Sequence, residues 1–270
     1  MFSRFQTYLE MLRTDPLGFL IYMVYYIVVI LLSLILHECG HAYAAYRCGD
    51  PTAKMLGRLT LNPLKHLDPV GTVMMVVFGF GYAKPVPVNP RNFRNYRRDD
   101  LIVSAAGVTV NLALFLTTLA MAVGINRLLW TDQIYEYYRS TRTMAELISP
   151  YQSTVGSWIA YAGTASDSFA EFFAQPWLVY VQRFLLLMST TNLGLALFNL
   201  LPIPPLDGYH VLNDILLKGR LALDANAFRI AQAILFMLLF TGAFSELLYA
   251  ANKAVYDGVL HVFLMMTGAA

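Results

Sequence analysis

Tyr22-Met23-Val24-Tyr25-Tyr26-Ile27-Val28-Val29-Ile30-Leu31-Leu32-Ser33-Leu34-Ile35-Leu36 carries no charge and runs straight into His37-Glu38-Cys39-Gly40-His41. The apolar run opens near Leu17 and continues to about Tyr46, longer than the ~20 residues a helix needs to cross a bilayer core. Its last turns therefore fall near one membrane face. Histidines four apart on a helix project about 40° apart, since each residue turns roughly 100°. They can grip one metal ion. Glu38 lies about 100° round from His37, placed to touch a water on that metal without being a ligand. The pattern His-Glu-x-x-His is a zinc hydrolase signature, here set in what looks like the interior of a bilayer.

The composition agrees with that setting. The chain is 57% hydrophobic and 13% charged, against about a quarter charged in a soluble domain. A net charge of +2 is too small to suggest nucleic acid as a partner, and the basic residues read better as topology markers. Cys39 and Cys48 lie on or beside the motif helix, where they cannot approach each other, so no disulfide framework is implied. Met1 to Asp15 mixes Arg4, Glu10 and Arg13 with apolar residues and suits the membrane surface. The run after it is too long for a signal-peptide core and lacks a small-residue cleavage site, which makes it a retained helix.

The spans expected are Leu17 to about Tyr46, Leu101 to Ile125, Trp177 to Leu200, and Phe228 to Ala250. A fifth apolar piece, Val70 to Tyr82, is short and holds Gly71, Gly79 and Gly81, which makes it a poor span. Basic residues from Arg47 to Arg98 outnumber acidic ones and place that connection in the cytoplasm. Asn126 to Pro176 is more acidic and reads as extracytoplasmic. Within it, Ser153 to Ala174 is mildly apolar but holds Asp167 and Glu171, so it reads as an interfacial segment rather than a span.

A catalytic zinc usually has three protein ligands and one open position. The most suggestive source of the third is Leu206-Asp207-Gly208, where Pro202, Pro204 and Pro205 break the third span at the membrane face. A carboxylate there is a hard oxygen ligand on a rigid support. His66 is the other candidate, although a loop histidine is usually just solvated. His210 follows Asp207 by three and suits a supporting position, His261 suggests no catalytic role, and Cys39 points away from the metal. Topology adds a condition. If Val70 to Tyr82 crossed the membrane, His41 and Asp207 would lie on opposite faces, so the site requires a re-entrant segment.

The chain resembles the site-2 protease family of intramembrane zinc metalloproteases on three motifs in order: His37 to His41, Gly107-Val108-Thr109-Val110-Asn111, and Leu206-Asp207-Gly208. By that resemblance His37, His41 and Asp207 bind zinc, Glu38 activates the water, and Asn111 holds the substrate backbone or the developing oxyanion. An asparagine in an apolar helix is otherwise an interhelical hydrogen-bonding residue. Arg58 to Pro69 and Ala83 to Pro90 look like family loops and suit short strands near the membrane, able to pair with an unwound substrate. The chain departs from the family at Val108, where proline is common, and at Tyr209, where a second glycine is. Nothing resembles the PDZ or CBS domains of some members.

The reading is an all-α polytopic membrane protein with a re-entrant segment and short membrane-associated strands. It divides into an interfacial 1–16, a metalloprotease core 17–215, and a C-terminal span and tail 216–270. The expected cofactor is one Zn2+ per chain, and the expected partners are the lipid bilayer and a membrane-protein substrate with a transmembrane helix. The location implied is a prokaryotic plasma membrane with the active site near its cytoplasmic face. The alternatives are a membrane metal-binding or transport protein holding a passing ion, and a catalytically dead scaffold. Glu38 argues against transport, which needs no base.

Overall fold

The computed structural model describes residues 2–78, 83–151, 155–161, 171–218 and 223–268. In chain order its helices are α1 (Phe2–Thr14), α2 (Pro16–Cys48), α3 (Thr52–Met55), α4 (Pro69–Phe78), α5 (Tyr96–Leu129), α6 (Asp132–Ser140), α7 (Ala145–Ile148), α8 (Val155–Tyr161), α9 (Leu178–Asn199), α10 (Asp207–Ile215), α11 (Ala225–Thr241) and α12 (Ser245–Met266). Short 3-10 turns occupy Pro63–Lys65 and Pro90–Asn92.

Five Asx-Pro dipeptides occur in the chain, and each opens one of these helical segments. The Asp or Asn oxygen accepts a first-turn N–H: Asp15 from Gly18 at 2.8 Å, Asp50 from Thr52 at 3.1 Å, Asn62 from Leu64 at 3.1 Å, Asp68 from Gly71 at 2.8 Å, and Asn89 from Arg91 at 3.2 Å. The proline presets φ and lacks an N–H that the first turn would leave unsatisfied anyway.

Among the described residues three helices are long and apolar enough to cross a membrane: α2 with 33 residues, α5 with 34 and α9 with 22. They correspond to the expected spans 17–46, 101–125 and 177–200, the last one residue shorter at each end. At about 1.5 Å per residue, α2 and α5 exceed the ~30 Å hydrocarbon core, so each carries extra turns beyond it. The added first turn of α5 is polar and held by a reciprocal cap. Asn95 Oδ1 accepts from the Arg98 N–H at 3.3 Å, and Asp99 Oδ2 accepts from the Asn95 N–H at 2.9 Å.

The fourth apolar run, Phe228 to Ala250, is not one helix. Gly242 takes a left-handed φ of 74° and ends α11, with its N–H on the Leu239 carbonyl and the Ala243 N–H on that of Leu238. That pairing is a Schellman cap, which only a residue tolerant of positive φ closes cheaply. Ser245 then restarts the chain as α12, its hydroxyl donating to the Gly242 carbonyl at 2.6 Å.

The short strands expected at Arg58 to Pro69 and Ala83 to Pro90 do not form. Among the described residues the one β-type pairing is an isolated antiparallel bridge between Trp130 and Phe173. The prolines at 63, 69, 85, 87 and 90 remove ladder donors, and side chains take backbone groups that a partner strand would have used. Asp50 Oδ2 accepts the Asn89 N–H at 2.7 Å, and Glu38 Oε2 accepts that of Val86 at 2.9 Å. One backbone bond links the two stretches, from the Lys84 N–H to the His66 carbonyl at 2.8 Å. Of the expected re-entrant piece, Val70 to Phe78 is helical and residues 79–82 lie outside the described residues. Of Ser153 to Ala174, residues 153–154 and 162–170 lie outside them, including Asp167.

The chain forms two compact units, one of Leu31–Ala113 and Gly194–Leu248, the other of Phe2–Ile30, Leu114–Leu193 and Tyr249–Ala270. The second is built on aromatic packing. Tyr8 meets Phe19 and Tyr22, Tyr22 stacks on Tyr26, and fully buried Tyr256 lies against Phe115 and Tyr151. The first unit holds all the candidate site residues.

Candidate metal centre

The last turns of α2 place His37 and His41 one above the other, their Nε2 atoms 3.0 Å apart. Asp207, the first residue of α10, brings Oδ2 to 3.5 Å from His37 Nε2 and 3.4 Å from His41 Nε2. Residues 170 and 166 positions apart in the sequence thus close into one triangle of donor atoms. A tetrahedral zinc with bonds of about 2.0–2.1 Å sets its ligand atoms roughly 3.3 Å apart, and these edges match. Asp207 Oδ2 is buried and accepts no hydrogen bond, which is the state of an oxygen built to take a cation. The three residues form the one such group found among the described residues.

The second nitrogen of each imidazole sets which one faces the centre. His41 Nδ1 lies 2.7 Å from the Val103 carbonyl, which can only accept, so Nδ1 carries the proton and Nε2 keeps its lone pair. His37 Nδ1 lies 3.2 Å from Asn111 Nδ2, while Asn111 Oδ1 is buried without a partner. Turning the isosteric amide over puts that oxygen against an Nδ1 proton and frees Nε2 of His37 for a metal as well. Such outer partners orient ligating histidines. Asn111 is fully buried, with its amide against this ring.

Glycine permits the approach of the helices that supply these groups. A Cβ on Gly107 would collide with both imidazoles, and one on Gly40 would come within 2.9 Å of Val110 Cγ2 and 3.3 Å of the Ala106 carbonyl. On the Asp207 side, a Cβ on Gly208 would collide with the Leu200 and Leu201 carbonyls. Each glycine lets a backbone or ring lie where a methyl would stand. Gly107→Ala is expected to displace the rings and weaken zinc by roughly 10–100-fold, the scale of an outer-sphere disruption. Wild-type zinc affinity in that variant, measured by competition with a chromogenic chelator, would refute the packing argument.

The first turn of α5 also grips α10. Arg97 forks onto the Asp214 carbonyl, with Nε at 2.9 Å and Nη2 at 2.6 Å, satisfying an acceptor that the helix end leaves free. His210 Nδ1 sits 3.4 Å from Asp100 Oδ2, and that carboxylate holds the imidazole above the usual histidine range. His210 is therefore a neighbour of the centre, outside the donor triangle.

The other sequence candidates separate cleanly. His66 is not solvated: it is 1% exposed, with Nε2 on the Thr60 carbonyl at 2.8 Å. Cys39 donates its thiol to the same carbonyl at 3.0 Å. His261 lies on α12, in the other unit. Glu38 is fastened by Val86, whose N–H meets Oε2 at 2.9 Å. The Val86 N–H and the Val103 carbonyl escape sequence reasoning because any residue could supply the carbonyl and any but proline the N–H.

The family model of Peptidase family M50 matches residues 25–242, a stretch holding every residue of the triangle. The "Putative zinc metalloprotease YwhC" of Bacillus subtilis is 35% identical over 246 residues, covering 89% of this chain and 91% of its own. The "Putative zinc metalloprotease Rip2" of Mycolicibacterium smegmatis is 30% identical over 253 residues, 89% of this chain and 79% of that protein. Its namesake from Mycobacterium tuberculosis is 33% identical over 188 residues, covering 67% of this chain and 53% of its own. No solved structure matches. A donor triangle sized for zinc, in a helical chain matched over most of its length, makes this protein a member of Peptidase family M50.

Proposed function

We propose that this chain is a zinc metalloendopeptidase that hydrolyses peptide bonds in or near transmembrane segments of membrane proteins. The observation that carries the reading is the triangle of His37, His41 and Asp207, built on a helix long and apolar enough to span a membrane. Zinc held there supplies a Lewis acid for the scissile carbonyl and lowers the pKa of its water. Glu38, next to one ligand and tethered by Val86, takes the water's proton and passes it to the leaving nitrogen. Asn111 serves the centre by orienting His37. Substrate must unwind first, because an intact helix keeps its carbonyls in its own hydrogen bonds.

The topology proposed is multi-pass, in a prokaryotic plasma membrane, with the centre near the cytoplasmic face. In this reading 17–215 is the proteolytic core, 1–16 is interfacial and 216–270 is a C-terminal membrane segment. A re-entrant course for Val70 to Tyr82 is supported by two observations. Helix α4 has ten residues, about 15 Å and half a bilayer, and the bond from the Lys84 N–H to the His66 carbonyl ties its two flanks together. The basic residues around it favour the cytoplasmic side.

The test is cleavage of a single-span substrate by the full chain in liposomes. Activity is expected to fall to background when a chelator strips the metal and to return with zinc. Cleavage that persists in demonstrably metal-free protein would end the reading.

A further inference from the structure

Arg58 follows α3 and is buried, yet among the described residues it forms no ion pair. Its Nη2 instead donates to two consecutive carbonyls, Lys84 at 2.7 Å and Pro85 at 3.3 Å. Its own N–H is fixed on the Ala53 carbonyl at 2.8 Å. Burying a guanidinium without a carboxylate is costly, so its placement is specific. What it meets is informative: the Pro85 carbonyl and the Val86 N–H belong to one peptide group, and that N–H holds Glu38 Oε2 at 2.9 Å.

A peptide group is planar and rigid, with C=O and N–H pointing in opposite directions when trans. A cation on the oxygen therefore sets the direction of the N–H, and it also polarises that N–H into a stronger donor. The run from guanidinium through peptide to carboxylate is one chain of aligned charge. Two further contacts keep the segment in register. The Lys84 N–H is held by His66, and the Val86 side chain packs with Ala42, Ala53 and Leu59.

We propose that Arg58 is a positioning residue for hydrolysis, holding the 85–86 peptide so that the Val86 N–H fixes the Glu38 carboxylate. The proposal rests on the reading of Glu38 as the general base. Arginine suits the task because it stays charged and its Nη2, held in the guanidinium plane, carries two N–H groups, enough for both carbonyls. A lysine ammonium rotates freely on a flexible stem and fixes no plane.

The test uses the zinc-loaded full chain and the single-span substrate, with kcat, KM and zinc content measured separately. Arg58→Ala is expected to lower kcat by roughly 10–100-fold, the scale of a misplaced catalytic group, while KM and one zinc per chain are retained. Arg58→Lys is expected to recover part of the loss. Val86→Pro removes the N–H at a site already biased to extended backbone by Pro87, and is expected to show a similar fall. The double variant Arg58→Ala/Val86→Pro is then expected to be no worse than the poorer single, since both act on one contact. Wild-type kcat in Arg58→Ala, a loss confined to KM, loss of zinc, or multiplying effects in the double variant would each overturn the proposal. Glu38→Gln, measured alongside, separates the two claims. If it still cleaves, the base reading fails; if it is inactive while Arg58→Ala is normal, only the positioning role fails.

Discussion

Glu38→Gln protein is expected to bind zinc at the wild-type stoichiometry and to cleave about 10²–10⁴-fold more slowly, the range a general base contributes. The amide has the carboxylate's shape, and its oxygen can still accept the Val86 N–H that meets Oε2 at 2.9 Å. What it lacks is a site for the water's proton. The donor triangle of His37, His41 and Asp207 is left untouched, so zinc content and activity should part company. Cleavage within a few-fold of wild type would remove Glu38 from the chemistry and reopen a metal-carrying role for the same ligands.

Asp207→Ala should lose metal and activity together. Zinc sites with four ligands bind with about 10–16 kcal/mol, so removing one ligand costs roughly 3 kcal/mol, on the order of a hundredfold in affinity. Among the described residues the two nearby histidines are engaged elsewhere. His66 Nε2 is committed to the Thr60 carbonyl at 2.8 Å, and His210 sits against Asp100 at 3.4 Å. Metal analysis after dialysis against a weak chelator reads this directly. Full zinc retention in the variant would mean that Asp207 is a bystander and that the third ligand lies elsewhere.

Much of this was legible before any coordinates. Spans emerge from runs of apolar residues because a bilayer imposes length and excludes charge, so α2 and α9 agree with the expected runs to within about two residues, whereas α5 runs five residues earlier and four later than 101–125. His37 and His41 were paired by helical periodicity alone. The misreadings share a cause. Phe228 to Ala250 is mostly apolar, and composition does not register that one glycine, Gly242, takes a left-handed φ of 74° and splits the run. The loops at Arg58 to Pro69 and Ala83 to Pro90 resemble strands, but their backbone groups are taken by Glu38, Asp50 and Arg58. His66 was read as solvated because sequence position does not show what folds over it.

By itself the sequence determined the apolar spans, the two histidines on one helical face, the glutamate beside them, and an Asp-Gly on a proline-broken support. Each is a property of neighbouring residues or of periodicity, and local sterics and hydrophobicity suffice to express it. Only the tertiary structure decided that Asp207 completes the triangle with edges of 3.0, 3.5 and 3.4 Å. It likewise decided that His41 meets the Val103 carbonyl and His37 the Asn111 amide, and that Arg58 reaches Glu38 through one peptide. Those contacts join residues distant in the chain, several through backbone atoms common to nearly all residue types, so no residue type announces them.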